Sequence, residues 1–144
     1  MKKLLLIIAL IFTGCNIKTS ILKKDPLYEK ALKHTKRCQI INSFETKALL
    51  DVTYLNPIYK NFQKPTFLIG VYNDFDNTLN NTEFTLLING KRPDINSTIP
   101  SYILYKNFPF YNSWMNYYIV STDNAAPVVI EYKSRHWGEC NLTF

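Results

Sequence analysis

Four glycines, two histidines and three cysteines in 144 residues leave little room for most catalytic chemistry. A phosphate-binding loop or a dinucleotide fingerprint needs closely spaced glycines, and no such spacing exists here. A metal centre needs three or four ligands, whereas His34 and His136 are distant and have no matching carboxylate spacing. The sequence therefore calls for no metal and no cofactor. Long apolar runs are missing too: the longest, Leu4 to Phe12, is too short to cross a bilayer as a helix. Asn, Lys, Ile, Tyr and Phe are abundant in place of Gly and Ala, so the asparagine-rich run NDFDNTLNN is read as composition and given no function.

What the short apolar run does have is a context. Met1-Lys2-Lys3 precedes it, and Thr13, Gly14 and Cys15 follow, giving the order positive, apolar, small, cysteine. Residues 1–15 resemble a bacterial lipoprotein signal, whose lipobox ends in a small residue and a lipid-bearing cysteine; Phe12 stands where the family usually has leucine. The resemblance implies a signal peptide over residues 1–14, cleavage after Gly14, and a diacylglyceryl group on the Cys15 sulfur with acylation of the new amino group. Two or three acyl chains, at about 0.8 kcal/mol per buried methylene, anchor a protein without a spanning helix. Asn16, where inner-membrane lipoproteins of the family carry aspartate, favours the outer membrane, with the domain facing the periplasm. Beyond the leader, the chain resembles small exported envelope lipoproteins.

Without the leader, 15 Lys and Arg stand against 11 Asp and Glu, so the formal charge falls from +6 to +4. Lys18, Lys23, Lys24, Lys30, Lys33, Lys36 and Arg37 crowd the anchor, which fits either an anionic membrane surface or a solvated helix beside a tether. An envelope compartment argues against nucleic acid as a partner. It also oxidises thiols, so Cys38 and Cys140, the two left when Cys15 is acylated, are expected to pair. The alternative, a Cys140 nucleophile activated by His136, lacks a visible activating group.

Residues 15–24 read as the lipidated cysteine and a tether reaching at most about 30 Å. A single domain is expected over 25–144. DPLYEKALKHTKRC reads as a helix, with Asp25 as N-cap and Pro26 in the first turn, so the disulfide is expected to join a helix end to the last strand. From residue 44 the apolar period becomes two. Seven runs, ETKALLDVTYLN, TFLIGVYND, EFTLLING, SYILY, WMNYYIVST, PVVIEYKS and ECNLTF, are punctuated by prolines 57, 65, 93, 100, 109 and 127, and Asn89-Gly90 marks a tight turn. The expected fold is mainly β: an antiparallel β-sandwich, immunoglobulin-like or transthyretin-like, with a short N-terminal helix.

Three groups of residues are candidate sites. Asn96 in DINST and Asn141 in ECNLT match the extended bacterial glycosylation sequon, and Asn96 is placed in an exposed loop bracketed by prolines. Phe108, Phe110, Tyr111 and Trp114 form an aromatic stretch that is either core packing, the usual place of aromatics, or a loop offering a surface for a protein partner or a platform for sugar rings of a glycan or peptidoglycan. His136, with Glu139 as its acid/base partner, would be the centre of a hydrolase. Of these, the leading expectation is a membrane-anchored, non-enzymatic protein-interaction or assembly module acting on another envelope protein.

Overall fold

A computed structural model describes residues 26–98, 108, 111–123 and 126–144. The expected leader, Cys15, the tether, the SYILY run and Phe110 lie outside the described residues. Helix α1 spans Pro26–Lys33, five residues shorter at its end than the sequence reading. The His34 N–H (3.1 Å) and the Thr35 hydroxyl (2.7 Å) both bond the Ala31 carbonyl and close the last turn. The chain then enters β1, Thr35–Asn42. Cys38 thus lies on a strand and not at a helix end. Only Ile40 of that strand is fully buried, so its alternation is hidden, and Lys36 and Arg37 read as a basic helix terminus.

The remaining strands are β2 (Glu45–Tyr54), β3 (Thr66–Asn73), β4 (Phe84–Ile88), β5 (Asp94–Thr98), β6 (Asn116–Ser121), β7 (Val129–Ser134) and β8 (Gly138–Thr143). They form a five-stranded sheet ordered β1-β2-β3-β6-β5 and a three-stranded sheet ordered β4-β7-β8, antiparallel throughout. Setting β1 aside, the order β2-β3-β6-β5 against β4-β7-β8 is the constant-type immunoglobulin arrangement, four strands against three. β1 is an added edge strand folded back onto β2. Asn89 and Gly90 make the expected tight turn, both with left-handed backbones (φ 48° and 75°). It joins Ile88 to Lys91 just before the chain crosses to the other sheet.

β3 is buried along almost its whole length because apolar groups cover both of its faces. Phe67, Ile69 and Val71 face the small sheet and pack with Phe84, Leu86, Ile130 and Tyr132. On the outer face, Leu68 joins Ala31 of α1, Leu55, Ile58, Met115 and Tyr117 in a second cluster. A single row crosses that outer face. Arg37 grips the buried Asp51 with two bonds of 2.5 and 2.7 Å; Asp51 neighbours Gly70, and Gly70 neighbours Tyr117. Burial pushes the Tyr117 hydroxyl up to about 12, against the pull of the Asn112 N–H bonded to it.

Gly70 is required by its neighbour, since a Cβ built there would meet the Tyr117 ring at 2.6 Å. Overpacking of this kind typically costs about 1–3 kcal/mol. Gly70→Ala is therefore expected to lower the urea midpoint by that equivalent, and to lower it much less when introduced into a Tyr117→Leu background, where the ring is gone. An unchanged midpoint in the single variant would show that the ring moves freely.

Sheet edges are open hydrogen-bonding surfaces that folded proteins cover. The β1 and β8 edges meet: a Cys38–Cys140 disulfide joins them with Cα atoms 5.9 Å apart, and the Lys36 ammonium reaches the Thr143 carbonyl. At β4 the outward N–H groups are capped one by one. Phe84 bonds Asn81 Oδ1 (2.6 Å), Leu86 bonds Asn80 Oδ1 (2.9 Å) and Ile88 bonds the Lys91 carbonyl (2.7 Å).

Candidate functional site

β1 runs from α1 to the Ser43-Phe44 turn, and its neighbours alternate in direction. The 43–44 turn, the 74–83 loop, the segment entering β6 and the 135–137 turn consequently emerge at one end of the sandwich, the distal end. The connections after Tyr54, Ile88 and Ser121 and the terminal Phe144 lie at the other, where α1 meets β1.

The 74–83 loop is built by its asparagines. Asn73, buried at the end of β3, accepts the N–H groups of Phe75 (3.2 Å), Asp76 (3.0 Å) and Asn77 (3.0 Å) on its Oδ1. Its amide donates to the Thr78 carbonyl (2.9 Å) and the Tyr132 hydroxyl (3.1 Å). Asp76 in turn accepts the Thr78 N–H (2.9 Å) and hydroxyl (2.7 Å) and the Asn81 amide (2.7 Å). Burial alone would raise the Asp76 carboxyl, but these three donors outweigh it and hold it below its ordinary value. A run dismissed from the sequence as composition is the skeleton of the loop.

This frame presents aromatic side chains to solvent. Phe44 is fully exposed (105%), Phe75 is 60% exposed and Trp114 is 49% exposed. Ser43 and Phe44 make a two-residue turn with both backbones left-handed (φ 51° and 67°). That geometry suits Asn-Gly and is unusual for a phenylalanine, at about 1–2 kcal/mol for the left-handed residue. Pairing of β2 with β3 starts at Ala48 opposite Asn73, so residues 45–47 carry the turn about 10 Å beyond the sheet at about 3.3 Å per residue. The Asp74 N–H bonds the Lys47 carbonyl (3.1 Å), which holds the overhang against the loop bearing Phe75. Trp114 stands edge-on to Tyr72 (centroids 5.2 Å apart, 89°), and its carbonyl accepts from Asn77 (3.4 Å).

The aromatic segment therefore divides. Phe108 and Tyr111 pack on the outer-face cluster, Tyr111 stacking on Tyr117 at 5.6 Å. Trp114 is the member with a solvent-facing side chain among those described, and it joins Phe44 and Phe75, two residues that sequence reading passed over. The signal for Phe44 was weak, a lone aromatic between a serine and a glutamate.

His136 meets a carboxylate, but Glu83 and not the expected Glu139: Nδ1 lies 2.7 Å from Glu83 Oε2, while Glu139 pairs with Lys133 at 3.3 Å. Ser134 is nearby, yet its hydroxyl donates to Glu83 Oε1 (2.5 Å) and accepts the N–H groups of His136 (3.1 Å) and Trp137 (2.9 Å). A hydrolytic triad needs the hydroxyl on the imidazole and the imidazole on the acid. Here both partners converge on the acid, an arrangement that fixes the 135–137 turn. Burial would raise the Glu83 carboxyl, but the Ser134 hydroxyl, the His136 ring and the His136 N–H hold it low. The adjoining depression, about 460 Å³ and lined by Arg92, Ser134 and Arg135 among others, is open. Cys140 is in the disulfide and carries no free thiol. Among the described residues no group of three or more His, Cys, Asp or Glu is placed to hold a metal.

The glycosylation candidates fall on strands. The Asn96 backbone belongs to β5, as the extra residue where the β5–β6 register slips between Ile95 and Ser97, and not to a free loop. Asn141 is exposed in β8 opposite Glu131. Charge is split between the two ends. At the distal end Glu45 and Asp74 pair with Lys47, and Asp76 and Glu83 add to the acidic side, while Arg92 and Arg135 line one depression beside Glu83; at the other end Lys30, Lys33, Lys60, Lys64 and Lys91 outnumber Glu29, Asp94 and Asp123. Searches against protein-family models, curated proteins and solved structures find no match for the chain.

Proposed function

We propose that the protein is a lipid-anchored, non-enzymatic interaction module of a bacterial cell envelope, tethered through Cys15 and binding another envelope protein with the distal end of its sandwich. The observation that carries this reading is the exposure of Phe44, Phe75 and Trp114 at the end opposite α1, on a frame stiffened by the Asn73 network. Burying each large apolar side chain is worth about 1.5–3 kcal/mol, and exposed aromatics on rigid loops are what hot spots are made of. The acidic rim favours a partner whose apolar pocket is edged by Lys or Arg. The bonding of Ser134 to Glu83 and away from the imidazole argues against the hydrolase alternative.

The reading is tested by quantitative cross-linking capture from intact cells. Phe75→Ser and Trp114→Ser are each expected to reduce recovery of one specific envelope protein about tenfold or more, the size of effect a hot-spot truncation has. Lys60→Ser, at the opposite end, is expected to leave recovery unchanged. Recovery unaffected by the distal substitutions, or of glycan alone, would contradict it.

A further inference from the structure

Helix α1 has a wider apolar arc than the sheet beneath it uses. In PLYEKALK, Leu27, Tyr28, Ala31 and Leu32 fall within one side of the helix, and Ala31 is its buried residue. Tyr28 and Leu32 are 42% and 46% exposed. The helix itself carries Lys30 and Lys33 against Glu29, and in sequence the segment between Cys15 and Pro26 adds Lys18, Lys23 and Lys24 with no acidic residue until Asp25. Those ten intervening residues reach at most about 35 Å. An apolar strip with lysines beside it, this close to an acylated cysteine, has the features of an interfacial helix.

From these features we infer that α1 lies on the anionic surface of the bilayer that holds the lipid anchor, Tyr28 and Leu32 entering the headgroup boundary and the basic end of the domain lying beside the lipid phosphates. The inference rests on the acylation of Cys15 proposed above. Its consequence is proximity: with α1 on the membrane, the basic end, where α1 meets β1, lies beside the lipid. Charge decides between lipid and a protein as the occupant of this strip, because the tether already delivers α1 to a surface of the complementary sign.

The test is hydrogen exchange of the full, membrane-extracted protein in nanodiscs of phosphatidylcholine with and without phosphatidylglycerol, after its intact mass has been recorded. Amides of residues 27–33 are expected to exchange about fivefold more slowly in the anionic discs, the effect of roughly one lysine near such a surface. Tyr28→Glu and Leu32→Glu are expected to abolish the difference while exchange in β3 stays unchanged, which separates docking from unfolding. Equal exchange in both discs would overturn the inference. So would protection that follows protein copies per disc and not lipid charge, which would assign the strip to a second copy. An intact mass without acyl chains would refute the anchor and the helix placement together, whereas an acylated protein with equal exchange refutes the placement alone.

Discussion

Replacing Cys38 and Cys140 together by serine is expected to remove about 4–5 kcal/mol of stability in the chain-entropy limit, the value for a loop of about 100 residues. The bond spans 102 positions of sequence, so it restricts the unfolded chain over most of the described fold. Measured losses for native disulfides start near 2 kcal/mol. Where the loss appears is as informative as its size. β1 is an edge strand held by its ladder with β2 on one side and by the disulfide and Lys36 on the other. Without the bond, β1 and α1 should open before the central strands do, as a separate low-stability unit. Urea unfolding followed by fluorescence measures the first effect, and hydrogen exchange resolved by segment measures the second. A serine variant within about 1 kcal/mol of wild type would show that the cross-link is incidental, given the typical range for such bonds.

Asn73→Ala should be costly for a different reason. The side chain is 3% exposed and satisfies three loop N–H groups, one carbonyl and the Tyr132 hydroxyl. A buried hydrogen bond contributes about 1 kcal/mol net, and a buried group left unpaired costs about 1–3 kcal/mol. We expect a loss of about 3 kcal/mol or more, tempered only by water reaching the loop N–H groups. Tyr132→Phe removes one arm of the same network and is expected to cost about 1 kcal/mol. The two changes touch, so the double variant should fall short of their sum. Full additivity in a denaturant-based cycle would contradict a shared network. Since the loop also displays Phe75, Asn73→Ala is expected to weaken partner capture even where the fold survives.

The strand runs were legible because the sandwich buries alternate residues, and a period of two survives wherever one face is wet. Leu86 and Ile88 in β4, or Ile130 and Tyr132 in β7, are examples. β1 was not legible, because an edge strand that buries one residue fully carries almost no period. β5 was hidden in another way: its paired segment is five residues long and broken by an extra residue at Asn96, so proline brackets and a sequon read as a loop. At the candidate site, Trp114 could be proposed from aromatic density. Phe44 could not, because its meaning comes from a left-handed turn and an overhang that only the register of β2 against β3 reveals. Nor does the asparagine run announce its role, since its hydrogen-bond partners, from near neighbours such as Phe75 to Tyr132 on another strand, depend on the shape of the loop.

A photo-reactive amino acid placed in turn at Phe44, Phe75 and Trp114, and at the control positions Lys60 and Thr85, tests the central claim most directly when the full-length protein is irradiated in intact cells. The account predicts one discrete protein adduct shared by the three distal positions and absent from both controls. Adducts that are absent from the distal positions, or equally strong at the controls, would contradict a binding surface at the distal end.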